Sequence, residues 1–464
     1  MRRCFAAILA ALIVLFLFPV TSRAEYTKEV TANCAIMVDA STGTALYEKN
    51  SQAKAYPAST TKLMTALVVL ENVSDLETEV TVGAEVRRFS ENNTLIGLVE
   101  KEKVRVIDLL YGMLLPSGND AAATLACYVG GSIDGFAQLM NNKARELGMN
   151  DTHFVNPHGL NNEQHYTTAA DMAKLAVACS KNETLMEIVG SRTYTLPPTN
   201  KRSSSKTITN TNKFLDPNTG YDCVTGMKTG NTSAAKYCLV TSAEKDGKKL
   251  IVVILGDASE NGTARWTETR SLLEYGFENL ATMPLSALRL SPVKVQVAGY
   301  GRNDAEAGML TLEYDTGSQS ISGLKEDLNA LKLNADKIVV TVNYLSDHLD
   351  APVLKGDVVG TAALSYEGET IAVVNLVASR DVLASGDTAI VSSSNGIITG
   401  VTRTPIEDEK SSPVLTILLV LVGLGVCGTL LYFSRFGRKL RKKRQKQASS
   451  ADGHSFYIYK GKLQ

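Results

Sequence analysis

Ser59-Thr60-Thr61-Lys62 sets a hydroxyl and an amine three residues apart. On a helix that spacing brings both to one face. At a helix start, Ser59 would also lie in the positive end of the dipole, beside unpaired backbone N–H groups. A serine hydroxyl is a weak nucleophile until a base takes its proton. Lys62 can be that base once burial and a neighbouring cation depress its pKa. Lys228, in Lys228-Thr229-Gly230, is the candidate cation. Ser117-Gly118-Asn119 adds a hydroxyl that can relay a proton between amine and leaving group. It also adds a carboxamide that can hold a lysine and hydrogen-bond a substrate amide. Lys228 and Thr229 can bind a substrate carboxylate. The strand after Gly230, at Asn231, offers a backbone N–H that with that of Ser59 could form an oxyanion hole. One such donor is worth roughly 10²–10³ in rate.

The elements that must carry these groups are readable from periodicity. Leu63, Ala66, Leu67 and Leu70 predict a helix over 59–71, with Pro57 just outside it. Val106, Leu109, Leu110, Met113 and Leu114 predict a second, broken by Pro116-Ser117-Gly118-Asn119. An Ala-rich helical run follows from Asp120 to Tyr128, so the serine and asparagine sit in a loop between two buried helices. Residues 34–50 read as a hairpin turning at Ser41-Thr42-Gly43. Strands are expected from Val224 onward, over Lys236–Ala243 and Leu250–Leu255, joined at Asp246-Gly247. A helix follows over Thr267–Leu280. Helices in mid-chain with antiparallel strands after them give a layered α/β domain ending near residue 285. In 290–400, short β-prone runs at 293–297, 338–342 and 370–374 alternate with turns, the pattern of a small all-β domain.

Ser-x-x-Lys, Ser-x-Asn and Lys-Thr-Gly, in that order and on helix, loop and strand, form the trio of penicillin-binding proteins and class A β-lactamases. Residues from about 33 to 285, together with the β domain, resemble the low-molecular-mass penicillin-binding proteins that act as serine D-Ala-D-Ala carboxypeptidases. The stretches that carry the resemblance are Pro57–Thr65, Pro116–Ala121, Asn156–Leu160, His165–Ala169 and Gly226–Gly230. It implies a penicillin-binding-protein/β-lactamase-like transpeptidase fold, an antiparallel sheet with helices. It also implies removal of the terminal D-Ala from peptidoglycan stem peptides through an acyl-enzyme on Ser59. Substrate peptides ending in D-Ala-D-Ala and β-lactam antibiotics are the expected partners, with no cofactor. Arg265 corresponds, by the resemblance, to an arginine that helps bind the terminal carboxylate; Arg270 is close by. Relatives often carry His after Lys-Thr-Gly where this chain has Asn231, a change that could alter pH response or substrate fit.

Two other readings compete. A class A β-lactamase needs a glutamate, in a Glu-x-x-Leu-Asn loop, that activates water; 156–171 offers only Glu163, followed by Gln-His-Tyr-Thr. A non-catalytic penicillin-sensing or wall-binding protein would not need the intact Ser, Lys and Lys-Thr-Gly set. His153, His158 and His165 lack the i, i+4 spacing of a helical zinc pair, so loop hydrogen bonding is preferred and no metal is expected.

Lys+Arg and Asp+Glu balance at 48 each, which leaves no basic footprint for nucleic acid. The ends differ from that average. Met1-Arg2-Arg3, an apolar run to Val20 and small residues at 22 and 24 predict a secretory signal over 1–24. Residues 414–433 are uncharged and long enough to span a bilayer. A basic tail, 434–464, follows and is expected in the cytoplasm. The catalytic domain, 30–285, would thus stand outside the cell membrane on a single anchor. Of seven Cys, Cys4 and Cys427 fall in the apolar runs. Cys223 and Cys238 could face each other across a hairpin, with a pair of buried free thiols the preferred reading.

Overall fold

The computed structural model describes Tyr26 and residues 28–385, apart from 91 and 347. The signal at 1–24, the expected span at 414–433 and the basic tail lie outside the described residues. Among the described residues, no helix is long and apolar enough to cross a membrane.

The chain opens with the predicted hairpin, β1 (Cys34–Asp39) and β2 (Ala45–Lys49). A 3-10 turn, Ala58–Thr61, then leads into α1 (Lys62–Asn72). A helical layer follows, interrupted by the short hairpin β3 (Glu79–Thr81) and β4 (Lys103–Arg105). It comprises α2 (Val106–Leu114), α3 (Asn119–Gly130), α4 (Ile133–Glu146), α5 (Ala169–Cys179) and α6 (Glu183–Gly190). A second short hairpin, β5 (Thr193–Leu196) and β6 (Lys206–Thr209), precedes the meander β7 (Val224–Thr232), β8 (Lys236–Lys245) and β9 (Lys248–Asp257). These strands join the first hairpin in one antiparallel sheet of order β2-β1-β9-β8-β7. The helix α7 (Ala264–Asn279) returns across it.

The strand period of two explains the layering. In β9, Ile251, Val253 and Leu255 enter the core shared with α1–α6. Leu250, Val252 and Ile254 point the other way, onto Leu272 and Leu273 of α7. Both faces are apolar because both are covered, so the strand reads as a continuous apolar run rather than an alternating one. Burying each such side chain contributes about 1.5–3 kcal/mol.

α7 runs directly into β10 (Leu280–Pro284) of a second unit with its own core. There β11 (Val293–Gln296), β12 (Met309–Asp315), β13 (Ser320–Leu324), β14 (Val339–Tyr344), β15 (Val358–Tyr366) and β16 (Glu369–Ala378) follow. The main sheet has the order β11-β12-β16-β15-β14, while β10 pairs with β13. One helix, α8 (Lys325–Leu333), accompanies them, burying Leu328 and Leu331. The two units touch where Ser322 Oγ donates to Asp39 Oδ2 at the end of β1.

The hairpin register separates Cys223 from Cys238. Cys238 stands opposite Gly230, whereas the Cys223 carbonyl accepts from Glu244 N at 2.8 Å, at the other end of the β7–β8 pair. Both thiols are free, Cys238 buried and Cys223 half-buried. The register keeps them from facing each other, and the preferred reading of free thiols stands, with Cys223 only half-buried.

Candidate active site

Ser59 lies in the 3-10 turn that opens α1 and is half-buried, within reach of solvent. Its neighbours are held tightly. Thr60 Oγ1 donates to Pro57 O at 2.6 Å. Ala58 is forced to φ +47°, a left-handed conformation rare for a residue with a Cβ. Two glycines allow other backbone to close in on this turn. A Cβ on Gly159, at φ +83°, would stand 1.8 Å from Ala58 O, and one on Gly230 would stand 3.2 Å from Ser59 N.

Lys62 is 0% exposed. Its Nζ lies 2.9 Å from Ser59 Oγ, 2.7 Å from Asn119 Oδ1 and 2.8 Å from His158 O. The last two partners only accept, and together they take both N–H bonds of a neutral amine. The lone pair is then left for the serine proton. Burial is the largest force on Lys62, and the charge of Lys228 adds to it; both hold its pKa well below the ordinary lysine range, against an opposing pull from Asp120.

The segment between α2 and α3 presents Ser117 and Asn119. Gly118 N donates to Gly112 O at 3.0 Å and Asn119 N to Thr94 O at 2.8 Å. Ser117 sits at φ +74° with its hydroxyl buried and, among the described residues, without a hydrogen-bond partner. A hydroxyl in that state is open to a partner from outside the chain. Beside Asn119, the Asp120 carboxylate accepts from the N–H groups of Ile96, Gly97, Leu98 and Ala121 at 2.8–3.0 Å.

On the other wall, β7 carries Lys228, Thr229 and Gly230 as a buried run, with Asn231 exposed at its end. Lys228 Nζ lies 3.1 Å from Thr229 O. Burial, then the charge of Arg265, pushes its pKa down to about 7. Thr229 Oγ1 lies 2.6 Å from Thr211 Oγ1. Arg265, in the first turn of α7, donates from Nη1 to Gly230 O at 3.2 Å and to Cys238 O at 3.3 Å. Its guanidinium stands over Tyr237 and Trp266. Arg270 faces away, donating to Thr219 O and lying over Tyr221. Residues from well-separated stretches of sequence thus converge on one half-exposed hydroxyl.

The family described as D-alanyl-D-alanine carboxypeptidase (Peptidase_S11) matches residues 20–259. The protein DacF of Bacillus subtilis (strain 168), a D-alanyl-D-alanine carboxypeptidase, is 31% identical over 397 residues, which is 83% of this chain and 96% of that one. This chain belongs to the D-alanyl-D-alanine carboxypeptidase family. A Streptomyces sp. (strain K15) D-alanyl-D-alanine carboxypeptidase is 37% identical over 248 residues, 51% of this chain and 84% of its own length. Penicillin-binding protein 5 of Haemophilus influenzae shares the fold with a TM-score of 0.58 and 29% identity, over 77% of this chain and 98% of that one. Residues 303–384 match the C-terminal domain of penicillin-binding protein 5.

In this D-alanyl-D-alanine carboxypeptidase, several participants escape a reading by residue type. The His158 group that meets Lys62 is a backbone carbonyl. The loop presenting it is tied down by Asn156 Oδ1, which accepts from Gly159 N at 2.7 Å, and by Thr65 Oγ1, which donates to Pro157 O at 2.6 Å. The histidines do serve loop hydrogen bonds. His165 Nδ1 accepts from Val155 N at 3.2 Å, so its proton is on Nε2, donated to Thr61 Oγ1 at 2.9 Å. Burial pushes the pKa of His165 down to about 4 and that of His158 well below its ordinary value, so both rings are neutral. Among the described residues, no group of His, Cys, Asp and Glu is arranged to hold a metal ion. Glu163 is exposed on its loop.

Proposed function

We propose that the protein is a serine-type D-Ala-D-Ala carboxypeptidase that removes the terminal D-Ala from peptidoglycan stem peptides, with Ser59 as nucleophile and Lys62 as base. The observation that carries this reading is the buried Lys62 amine, bonded to two pure acceptors and aimed at Ser59 Oγ 2.9 Å away. Ser59 attacks the carbonyl carbon of the penultimate D-Ala as its proton passes to Lys62. The backbone N–H groups of Ser59 and Asn231 receive the developing oxyanion. The C–N bond breaks, and the leaving D-Ala amine takes a proton relayed from Lys62 through Ser117. Water then attacks the acyl-enzyme ester, deprotonated along the same path, and Ser59 regains its proton.

Lys228, Thr229 and Arg265 hold the terminal carboxylate. The cationic charge beside Gly230 and the hydroxyl of Thr229 support that role, and Asn119 holds Lys62 and bonds the substrate amide. A β-lactam enters as a strained mimic of the D-Ala-D-Ala end. Its leaving amine stays tethered after ring opening and obstructs water, so the adduct persists. The exposed Glu163 offers no route around that obstruction.

The signal over 1–24, the span at 414–433 and the basic tail support a catalytic unit held outside the cell membrane by one C-terminal anchor, with the β-rich unit at 290–400 between them. The test of the enzymatic reading is D-Ala release from a stem-peptide mimic, with mass spectrometry of the protein after penicillin. A persistent adduct on the peptide containing Ser59, absent in Ser59→Ala, is expected. Labelling elsewhere would remove Ser59 from its role, and rapid multiple turnover of penicillin would make the protein a β-lactamase.

A further inference from the structure

Thr211 belongs to none of the three motifs, yet it touches two walls of the site. It is exposed on the turn after β6. Its N–H donates to Leu115 O at 3.1 Å, and its Oγ1 lies 3.3 Å from that same oxygen. Leu115 stands two residues before Ser117. On its other side, Thr211 Oγ1 is 2.6 Å from Thr229 Oγ1, at the short end of the range for O–H···O bonds. One hydroxyl thus bridges the segment that carries Ser117 and the strand that carries Lys228 and Thr229.

Counting protons gives this bridge a direction. Each hydroxyl owns one proton and two lone pairs. With the site empty of an anion, Thr229 donates to Thr211, and Thr211 donates to Leu115 O. Thr229 is then already used as a donor. A carboxylate offers only acceptors, so Thr229 can bind it only by turning its proton away from Thr211. Thr211 can follow by rotating its own proton from Leu115 O to Thr229 Oγ1. Leu115 O still holds the Thr211 N–H, so no acceptor is orphaned by the exchange. A proton delivered onto Thr229 Oγ1 also polarises the O–H that faces the anion.

We infer that Thr211 is the positioning residue for the Thr229 hydroxyl, reversing its own hydrogen bond so that Thr229 donates to the substrate's terminal carboxylate. This rests on the reading of Thr229 as a carboxylate ligand. The test compares kcat/KM of the full chain in detergent on two substrates with the same acyl part. One is a peptide ending in D-Ala-D-Ala, and the other is a thioester whose leaving group has no carboxylate. Thr211→Val is expected to lose about tenfold on the peptide and about twofold or less on the thioester, the scale of a hydrogen bond to a charged partner. Thr211→Ser, which keeps the hydroxyl, restores the peptide activity, and Thr211→Val adds little to the loss already caused by Thr229→Val. Equal losses on both substrates for Thr211→Val, no loss on either, or full additivity with Thr229→Val would overturn the inference about Thr211 alone. Equal losses for Thr229→Val itself would overturn the reading of Thr229, and this inference with it.

Discussion

The backbones of Gly159 and Ala58 are in direct contact: a Cβ on Gly159 would fall 1.8 Å from the Ala58 carbonyl oxygen. The loop that gives Lys62 its carbonyl partner therefore also presses on the residue before Ser59. Ala58 is kept at φ +47° at the point where that loop meets the turn.

Gly159→Ala should disable the site from a distance. The new methyl group cannot fit without moving the Ser59 turn, and φ +83° is itself unfavourable for alanine. A displacement of about 1 Å at a nucleophile costs about 10²-fold in rate. Penicillin acylation should drop by at least that much, measured by stopped-flow or gel labelling. A variant that acylates at the parental rate would mean that the turn tolerates the shift.

Lys62→Arg should abolish acylation while the protein stays folded. Arginine keeps the charge, but its pKa lies too high for it to act as a base, and its planar fork does not reproduce an amine with three partners. Circular dichroism would check the fold and penicillin labelling the activity. Near-normal labelling would remove Lys62 from the role of base.

Lys228→Met should move the acid limb of the acylation pH profile to higher pH. Removing the like charge beside Lys62 lets that amine keep its proton more readily, so its pKa rises. Acylation of the thioester without a carboxylate is the measurement, since Lys228 is not needed there as an anion ligand. An unmoved limb would mean that burial alone sets the base.

The same substitution should raise thermal stability. Lys228 loses its proton near pH 7 when folded, while an unfolded chain holds it until about pH 10.5. The unfolded state binds more protons across that window, so stability rises with pH there and is lowest on its acid side. Lys228→Met should melt several degrees higher than the parent at pH 6, with the gap narrowing toward pH 10. A constant gap would argue against a depressed pKa.

Arg265→Ala should lose about tenfold in kcat/KM on a D-Ala-D-Ala peptide and much less on the thioester lacking a carboxylate, as expected for a lost charged hydrogen bond. Equal losses would limit the guanidinium to holding the Gly230 and Cys238 carbonyls.

The chemistry was legible wherever it followed from side-chain type at short range. Ser59 and Lys62 are one turn apart, so helical geometry alone pairs them. The loop carrying Ser117 and Asn119 is announced by Pro116 and Gly118, and β9 by its apolar run. What escaped depends on backbone atoms and distant register. The His158 carbonyl lies 96 positions from Lys62, and any residue type could present a carbonyl there. Asp120 reads as a helix-start acid, but its grip on the N–H groups of 96–98 exists only once that segment is in place. Thr211 lies in Asn210-Thr211-Asn212, a run with the composition of an ordinary turn. That Cys223 and Cys238 do not face each other depends on the β7–β8 register, which sets Cys238 opposite Gly230 and is not written in residue type. In the second unit, the turn-rich texture of 290–400 hides α8, whose nine residues bury only two leucines.

The loop contact at Gly159 also makes the protein its own gauge of integrity. The Lys62 partner at His158 and the shape of the Ser59 turn both depend on 156–160 being seated, and with Ser59 as the proposed nucleophile and Lys62 as its proposed base both are needed for attack on a β-lactam. A fluorescent penicillin therefore counts only those molecules in a preparation whose loop is docked. The labelled fraction, set against total protein, is a titration of native chains, readable in a crude extract where no melting curve could be recorded.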